Sequence, residues 1–280
     1  MPSKEGQSIE SEKFLGAIEK GVFEGKREYQ VPIEVDKPEF TTAEAEEMKP
    51  TELLGSYRTN YTATSDQSKE RVENLGIAAN AVSGTLLAPG EVYSMNATVS
   101  DLDFHETHVI INGAETTADG GGLCQVTSTL YNAVLLAGLD VIERHPHYSQ
   151  LPYIRPGLDA TVWFGDEYGN GALDMKFKNT TDGYVLLQEY VAGDNYIYAN
   201  VYGVPDNVEV EMWSEPVYMT EDASKWVTYM TRKENGKVVY DGKYSTTDYG
   251  ALIDDEGKKI PIPDVPVAEV DGTYNGPPIQ

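Results

Sequence analysis

The sequence is poor in cysteine, in positive charge and in long apolar runs, and each scarcity excludes a class of protein. Cys124 is the only cysteine among 280 residues, so the chain has no internal disulfide and no cysteine cluster for zinc or iron–sulfur binding. The 21 lysines and arginines stand against 46 acidic residues, a formal net charge of −25, which opposes binding to nucleic acid and to anionic membranes. No stretch reaches the roughly 20 apolar residues of a membrane-spanning helix, and the first residues lack the hydrophobic segment of a signal peptide.

What remains is the composition of a folded protein, 40% hydrophobic and 24% charged, divided into three regions. Residues 1–50 predict one short helix, an alternating strand with one buried face over residues 29–35, and an acidic connector, TTAEAEEMKP. We interpret them as the tail of an upstream module or as a linker. Residues 51–203 carry the densest pattern of elements and predict the central domain, and residues 204–280 predict a small β-rich module with an extended end.

The central region predicts two main helices and several strands. One helix is expected to begin after Asp66 or Ser68 and to run through Ser83, and another to run from Cys124 to Ala137, before Gly138. Strand patterns with turns at residues 193–195 and 235–236 predict two hairpins. The sequence therefore predicts an α+β fold in which two main helices pack on antiparallel sheet, followed by the small β-rich module.

The surroundings of Cys124 are those of a reactive thiol. Three glycines, residues 120–122, come directly before the Leu123-Cys124 pair, and they allow a tight turn and leave room for a substrate. A helix that begins here offers partial positive charge and unpaired N–H groups, which favour the nucleophilic thiolate. Backbone N–H groups from Leu123 to Gln125 are candidates for an oxyanion hole.

A thiol nucleophile needs a base, and the segment ERHPHY supplies two imidazoles. His145 and His147 both lie at the end of a predicted strand, where Pro146 interrupts the ladder. Asp159, at the start of DATVWFG, is a candidate for orienting the imidazole. Either histidine could be the base, with a slight preference for His147.

The central motifs resemble those of the VanW-like domain of exported proteins in Gram-positive bacteria. The resemblance covers residues 53–203 through LLGSYRTNYTAT, GTLLAPGEVYSMN, GGGLCQVTSTLYNAVLLAGLDVIERHPHYSQLPYIRPGLDATVWFG and FKNTTDGYVLLQEYV. Residues 1–50 resemble the end of a peptidoglycan-binding repeat that often precedes this domain. Residues 204–280 more weakly resemble a β module of the G5 kind that often follows it.

The resemblance implies an extracellular, cell-envelope protein that acts on peptidoglycan stem peptides and is anchored by a segment preceding residue 1. It implies a cysteine-dependent L,D-transpeptidase, which cross-links third-position residues through a thioester and needs no cofactor or metal. The family's GGG-x-C motif falls on Gly120 to Cys124, its ERHPHS motif on residues 143–149 with Tyr148 inserted, and its GxDATV motif on Gly157 and Asp159. The expected catalytic residues are Cys124, His147, His145 and Asp159. The expected substrate-binding residues are Gly121, Gly122, Gln125, Arg144 and Arg155.

Three other functions fit the same residues. A thiol endopeptidase or carboxypeptidase would share the thioester step and differ only in using water as the acceptor. A wall-binding module would carry the site without activity. A zinc site would use mixed nitrogen and sulfur ligands drawn from His105, His108, Cys124, His145 and His147.

Overall fold

The protein is described by a computed structural model. The structure describes residues 3–38, 41–111, 114–165, 171–254 and 256–260. It divides into two compact units, Met1–Lys49 and Pro50–Gln280. No helix within the described ranges is long and apolar enough to cross a membrane.

The N-terminal unit is small and has little buried surface. Its elements are β1 (Gly6–Ile9), α1 (Ser11–Phe23), β2 (Ile33–Asp36) and α2 (Thr42–Glu47). Strands β1 and β2 form an antiparallel pair in which every residue is exposed. The predicted strand with one buried face over residues 29–35 is therefore wrong in extent and burial, because a two-stranded sheet with no partner layer has nothing to bury a face against.

The acidic connector is also corrected by the structure, because it contains helix α2. Thr41 accepts a hydrogen bond from the backbone N–H of Glu44, and the Glu44 carboxylate accepts one from the N–H of Thr41. This reciprocal capping box begins a helix in a segment whose charge suggested a loop.

The larger unit contains three α-helices, a 3-10 turn and fourteen strands among the described residues. The helices are α3 (Lys69–Val82), α4 (Met95–Val99) and α5 (Leu123–Leu136), with the 3-10 turn at Tyr61–Ala63. The strands are β3 (Glu52–Asn60), β4 (Leu86–Leu87), β5 (Val92–Ser94), β6 (Glu106–Ile111), β7 (Ala114–Asp119), β8 (Asp140–Glu143), β9 (Lys176–Lys178), β10 (Val185–Val191), β11 (Tyr196–Gly203), β12 (Val208–Met219), β13 (Ala223–Glu234), β14 (Lys237–Gly250), β15 (Leu252–Ile253) and β16 (Lys259–Ile260).

The core lies between one antiparallel sheet and two helices. The sheet has the strand order β3-β11-β10-β4, and α3 and α5 pack on its inner face. Alternate residues of β11 are buried, including Ile197, Ala199 and Val201, while α5 is buried along nearly its whole length. The predicted α+β class, with two main helices on antiparallel sheet, is confirmed.

The remaining strands form smaller sheets around this core. The orders are β12-β13-β14, β5-β9-β8 and β16-β15-β7-β6. Both predicted hairpins are present: β10 pairs with β11 in antiparallel fashion, and β13 with β14. Asn235 and Gly236 take the left-handed backbone conformation that the second turn requires. The β12-β13-β14 sheet belongs to the same compact unit as the central core.

Both predicted main helices form close to their expected limits. Ser68 caps α3 by accepting a hydrogen bond from the N–H of Arg71. Helix α5 begins one residue before Cys124 and is followed by Gly138, whose φ of 73° provides the left-handed ending. The nucleophile candidate therefore lies in the first turn of the most deeply buried helix.

Candidate functional site

The glycine run fixes the start of α5 by conformation and by close packing. Gly122 is the N-cap and has φ 106° and ψ −25°, a backbone conformation that side-chain-bearing residues rarely adopt. At Gly121, a Cβ atom would lie 2.0 Å from the Thr107 hydroxyl oxygen and 2.6 Å from the His108 carbonyl oxygen. The glycines thus allow the β6 strand to pass directly against the turn that presents Cys124.

The thiol of Cys124 points toward an extended segment after Asp159. Its sulfur lies 3.4 Å from the hydroxyl oxygen of Thr161 and 3.8 Å from the carbonyl oxygen of Val162. The side chain of His147 lies near enough to the thiol to interact with it electrostatically. Cys124 is a free cysteine and, taken as a whole residue, is partly exposed.

His147 is held between Cys124 and Asp159. Its ring nitrogen Nδ1 lies 2.8 Å from Oδ2 of Asp159, and its backbone N–H donates to the same oxygen at 2.7 Å. This double attachment fixes both the ring and the chain at His147, with Nδ1–H toward the carboxylate. Nε2 is then the ring nitrogen free for proton exchange, and the three residues match the arrangement that a nucleophile, a base and an orienting carboxylate require.

Asp159 is itself held by two further side chains. The guanidinium of Arg144 donates through Nη2 to Oδ1 at 2.9 Å and through Nε to the Asp159 carbonyl oxygen at 2.6 Å. The phenol of Tyr249, from β14, donates to the same Oδ1. Asp159 is only 1% exposed, so these donors stabilise a buried negative charge that would otherwise be costly.

The electrostatics favour the thiolate–imidazolium pair. Burial raises the pKa of the Cys124 thiol, but hydrogen bonding and the charge of His147, together with bonds from Thr161 and the Val162 backbone, bring that pKa below its ordinary value. Burial lowers the pKa of His147, but the bonds to Asp159 and Cys124 outweigh it and raise that pKa to about 9. Although burial opposes ionisation of Asp159, Arg144 and His147 hold its pKa well below the usual range.

His145 has different neighbours. Its Nε2 lies 3.0 Å from Oε1 of Glu143, and the other oxygen of Glu143 accepts from Lys176 at 2.9 Å. The backbone carbonyl of His145 accepts from the N–H of Thr161 and so holds the segment that lies along Cys124. The structure therefore places His147 near the thiol, and places His145 in a polar cluster with Glu143 and Lys176.

Three of the predicted substrate-binding side chains are hydrogen-bonded within the protein. Arg144 is bound to Asp159, and Gln125 is 1% exposed, with its amide bonded to Thr59 and Asn60. Arg155 is 1% exposed, stacks over Trp226 and donates to the carbonyl of Ser214. Each of these side chains has its partners within the protein, and the expectation that they contact substrate stays a prediction. Gly121 and Gly122 do border the thiol through the turn that carries it.

Of the three backbone N–H groups expected to form an oxyanion hole, two are already hydrogen-bonded. The N–H of Leu123 donates to Gly120, and that of Gln125 donates to Gly122. The N–H of Cys124 has no backbone acceptor within the described parts of the chain, and it lies at the positive end of α5. It is the backbone donor available to a developing oxyanion.

The ligands that a zinc site would need do not converge. His105 lies 3.2 Å from Glu73, His108 is in β6, and His145 is bound to Glu143. Among the described residues no group of three or more histidines, cysteines or carboxylates has the spacing to hold a metal ion. The zinc alternative is therefore not supported by the positions of its own ligands.

Two residues of the site were missed by the sequence reasoning. Thr161 follows Asp159 by two residues on an extended segment, so the DATV motif carries a signal for its side chain to lie near the same site. Tyr249 is 90 positions from Asp159 and lies in the β-rich C-terminal region. Nothing in the sequence indicated that contact, because it depends on how β14 packs against the segment around Gly157.

Comparisons with known proteins agree on one family. The family model described as VanW like protein matches residues 70–202. The uncharacterized protein YoaR of Bacillus subtilis is 32% identical over 151 residues, which make up 52% of this chain and 47% of YoaR. The vancomycin B-type resistance protein VanW of Enterococcus faecalis is 30% identical over 118 residues, 41% of this chain and 42% of VanW.

These similarities are confined to part of each protein. The chain spans about half the length of the curated relatives that it matches. No solved structure matches the chain. The matched range of the family model nevertheless contains Cys124, His147 and Asp159 together.

Proposed function

We propose, since residues 70–202 of this chain form a VanW-like domain, that the protein is a cysteine-dependent acyltransferase of the bacterial cell wall. Its substrates would be peptidoglycan stem peptides, and its reaction an L,D-transpeptidation that joins two stems. The proposal places the protein in the cell envelope. The relative named for vancomycin resistance supports a link to the cell wall.

One observation carries the proposal: Cys124 interacts electrostatically with a histidine whose Nδ1 is bound to a buried aspartate. The 2.8 Å separation of His147 Nδ1 and Asp159 Oδ2 fixes the tautomer, and the raised pKa of His147 keeps the ring protonated beside a thiol of lowered pKa. A cysteine that only packs in a core does not require a neighbouring histidine bound to a buried aspartate. It is the arrangement of an activated thiol nucleophile.

The proposed reaction has two halves. The Cys124 thiolate attacks the carbonyl carbon of a donor stem peptide, and the Cys124 N–H donates to the oxyanion that forms. The bond to the leaving amino acid breaks as the His147 imidazolium gives its proton to the departing amine. An acceptor amine then attacks the thioester and loses its proton to neutral His147, and Cys124 leaves as the thiolate.

The products of a defined substrate test the proposal. Wild-type protein incubated with disaccharide-tetrapeptides is expected to release the fourth amino acid and to yield cross-linked dimers, measured by mass spectrometry. Cys124→Ala is expected to yield neither, while His105→Gln, which changes an exposed histidine bound to Glu73, should retain activity. Shortened monomers without dimers would show that the reaction is hydrolysis and not transpeptidation. Unchanged substrate in both wild type and Cys124→Ala would overturn an enzymatic role.

A further inference from the structure

The segment that passes the thiol is fixed along one face of α5. Cys124, Ser128 and Asn132 follow one another at intervals of one helical turn, so their side chains share a face of the helix. The amide of Asn132 donates to the carbonyl oxygen of Leu158 at 2.7 Å. One turn earlier, the hydroxyl of Ser128 donates to the carbonyl oxygen of Ala160 at 3.0 Å and accepts from its N–H at 2.9 Å. The segment is therefore held in register with α5, and its next residues lie beside the thiol.

Thr161 presents its hydroxyl to the sulfur of Cys124. The hydroxyl oxygen lies 3.4 Å from the sulfur, and both residues are partly exposed. The N–H of Thr161 donates to the carbonyl oxygen of His145 at 2.8 Å, so the backbone is also held on the side away from α5. Within the described ranges, the sulfur is the one hydrogen-bond partner of this hydroxyl.

The two groups at the sulfur differ in what they can do when the thiol ionises. The carbonyl oxygen of Val162, 3.8 Å from the sulfur, can only accept, so it suits the protonated thiol. A hydroxyl can accept or donate, because its hydrogen rotates about the C–O bond. When the proton of Cys124 passes to His147, the Thr161 hydroxyl can turn to donate to the sulfur, whereas the carbonyl cannot. Hydrogen bonds to an ionised acceptor are roughly twice as strong as those between neutral groups.

We propose that Thr161 is a further catalytic residue, whose hydroxyl donates a hydrogen bond to the Cys124 thiolate. The role rests on the proposed function, since it assumes that Cys124 is the reacting thiol. The bond increases the fraction of thiolate available for attack, and it stabilises the sulfur when the thiolate leaves in the second half of the reaction. Thr161 keeps its own proton throughout, so proton transfer remains with His147.

Two pairs of variants isolate the hydroxyl. Thr161→Val replaces it with a methyl group in a side chain of similar shape, whereas Thr161→Ser keeps it. Thr161→Ala differs from Thr161→Ser by one oxygen atom, so these two carry the comparison if Thr161→Val does not fold. Thr231→Val is the matched control, because it removes a threonine hydroxyl in β13 that donates to Asp241 at 3.0 Å.

The measurement is the rate at which iodoacetamide alkylates Cys124 across pH, a reaction in which the thiolate displaces iodide. In Thr161→Val and Thr161→Ala the thiol should ionise at higher pH, and the rate on the acid side of the profile should fall about threefold or more. On the alkaline side the rate should equal or exceed that of wild type, because a more basic thiolate is the stronger nucleophile. Thr161→Ser and Thr231→Val should follow the wild-type profile.

This crossing of the profiles separates a hydrogen bond to the thiolate from simple packing. A side chain that only packs against the sulfur would change the rate by the same factor at every pH. The other titratable groups that interact with the sulfur are His147 and the buried phenol of Tyr153, and every variant retains both.

Profiles of Thr161→Val and Thr161→Ala that coincide with wild type, or that fall in equal proportion at every pH, would overturn the inference. A Thr161→Ser profile that matches Thr161→Ala would also overturn it. These results would contradict the role of Thr161 alone, provided that the wild-type thiol ionises at lower pH than a free thiol. A wild-type thiol that ionises as a free thiol does would contradict the proposed function as well.

Discussion

The phenol of Tyr249 donates a hydrogen bond to Oδ1 of Asp159, the carboxylate that holds His147. The same phenol oxygen accepts from the N–H of Gly157 at 2.6 Å. Tyr249 lies in β14, outside the range that matches the family model, and Thr247 of the same strand accepts from Arg144. The three-stranded sheet β12-β13-β14 therefore supplies part of the support for the Asp159 carboxylate.

Removing this phenol should impair catalysis more than folding. In Tyr249→Phe, Asp159 loses one of two donors to Oδ1, so the pKa of Asp159 rises and His147 is held less firmly. We expect kcat to fall about tenfold and stability to fall by about 1 kcal/mol. Tyr240→Phe is the matched control, since Tyr240 is exposed in the same strand and its hydroxyl donates only to the carbonyl of Lys243. Equal activity of the two variants would show that the Tyr249 contact has no catalytic role.

The two histidines of the ERHPHY segment should differ sharply in their effect on the thiol. In His147→Gln the lowering influence of the imidazolium is lost while burial remains, so the pKa of Cys124 rises. Alkylation by iodoacetamide at neutral pH should then slow by about 10- to 100-fold. His145→Gln should leave the rate within about threefold of wild type, because His145 bonds Glu143 and not the sulfur. Similar rates in both variants would contradict the assignment of His147.

The pH dependence of acyl transfer by the wild-type protein follows from the same pair. A thiol of lowered pKa and a histidine whose pKa is raised to about 9 coexist as thiolate and imidazolium between those two values. Acyl transfer needs both ions in its first step, so activity should rise as the thiol ionises and fall as the pH passes about 9. A profile that climbs steadily beyond that point would indicate a thiol that ionises without a histidine partner.

Asp159→Asn should reduce turnover strongly although the side chain keeps its shape. The amide carries no charge to stabilise the imidazolium, and it leaves the buried Arg144 guanidinium without its anion. By comparison with carboxylates in analogous arrangements, kcat should fall about a thousandfold. Circular dichroism and thermal unfolding are needed alongside the assay, because loss of a buried ion-pair partner also destabilises the fold. If Asp159→Asn is folded and fully active, Asp159 has no role in the mechanism.

A buried carboxyl far from the thiol should govern stability at higher pH. Glu189 in β10 is 0% exposed, and neither carboxyl oxygen has a hydrogen-bond partner in the described chain. Burial raises the pKa of Glu189 well above its ordinary value, so the folded state binds a proton that the unfolded state releases. Stability should therefore be unaffected below the ordinary glutamate pKa and should fall as the pH rises from there through the folded-state value.

The test of this expectation is Glu189→Gln, measured by thermal unfolding across acidic to alkaline pH. The variant should unfold at a higher temperature than wild type at neutral and alkaline pH, and the difference should shrink toward acid. Glu52→Gln serves as the control, because Glu52 is exposed in the same sheet. A Glu189→Gln variant that is less stable than wild type at every pH would show that the carboxyl has a favourable role.

Much of the central domain could be predicted because local signals and tertiary packing agree there. Ser68 caps α3 as its side chain predicts, Gly138 follows α5, and Asn235-Gly236 turns the β13–β14 hairpin. The N-terminal unit was less predictable. The alternation over residues 29–35 indicates a buried face only if another layer covers it, and the described residues Ile33–Asp36 are all exposed. In the same unit, the capping box of Thr41 and Glu44 outweighed the acidic composition of the connector.

At the site, residue types and spacing identified Cys124 and brought His145, His147 and Asp159 together as candidates. The sequence did not determine which histidine contacts the sulfur, since both lie within three positions on one segment and the choice depends on how that segment turns at Pro146. The substrate-binding roles of Arg155 and Gln125 stay predictions. Polar side chains near a nucleophile suggest substrate contact, but both are buried and bonded to the protein itself. The predicted limits of the three regions remain predictions.

The central claim, that the Cys124 sulfur carries an acyl group from a stem peptide, is tested most directly by the mass of the intact protein. Wild-type protein mixed with a tetrapeptide donor and no acceptor, then quenched in acid, should gain the mass of the donor minus its terminal amino acid. Digestion should place that mass on the segment that contains Cys124, and Cys124→Ala should gain none. A wild-type protein that stays unmodified while it converts the donor, or an equal adduct on Cys124→Ala, would contradict the account.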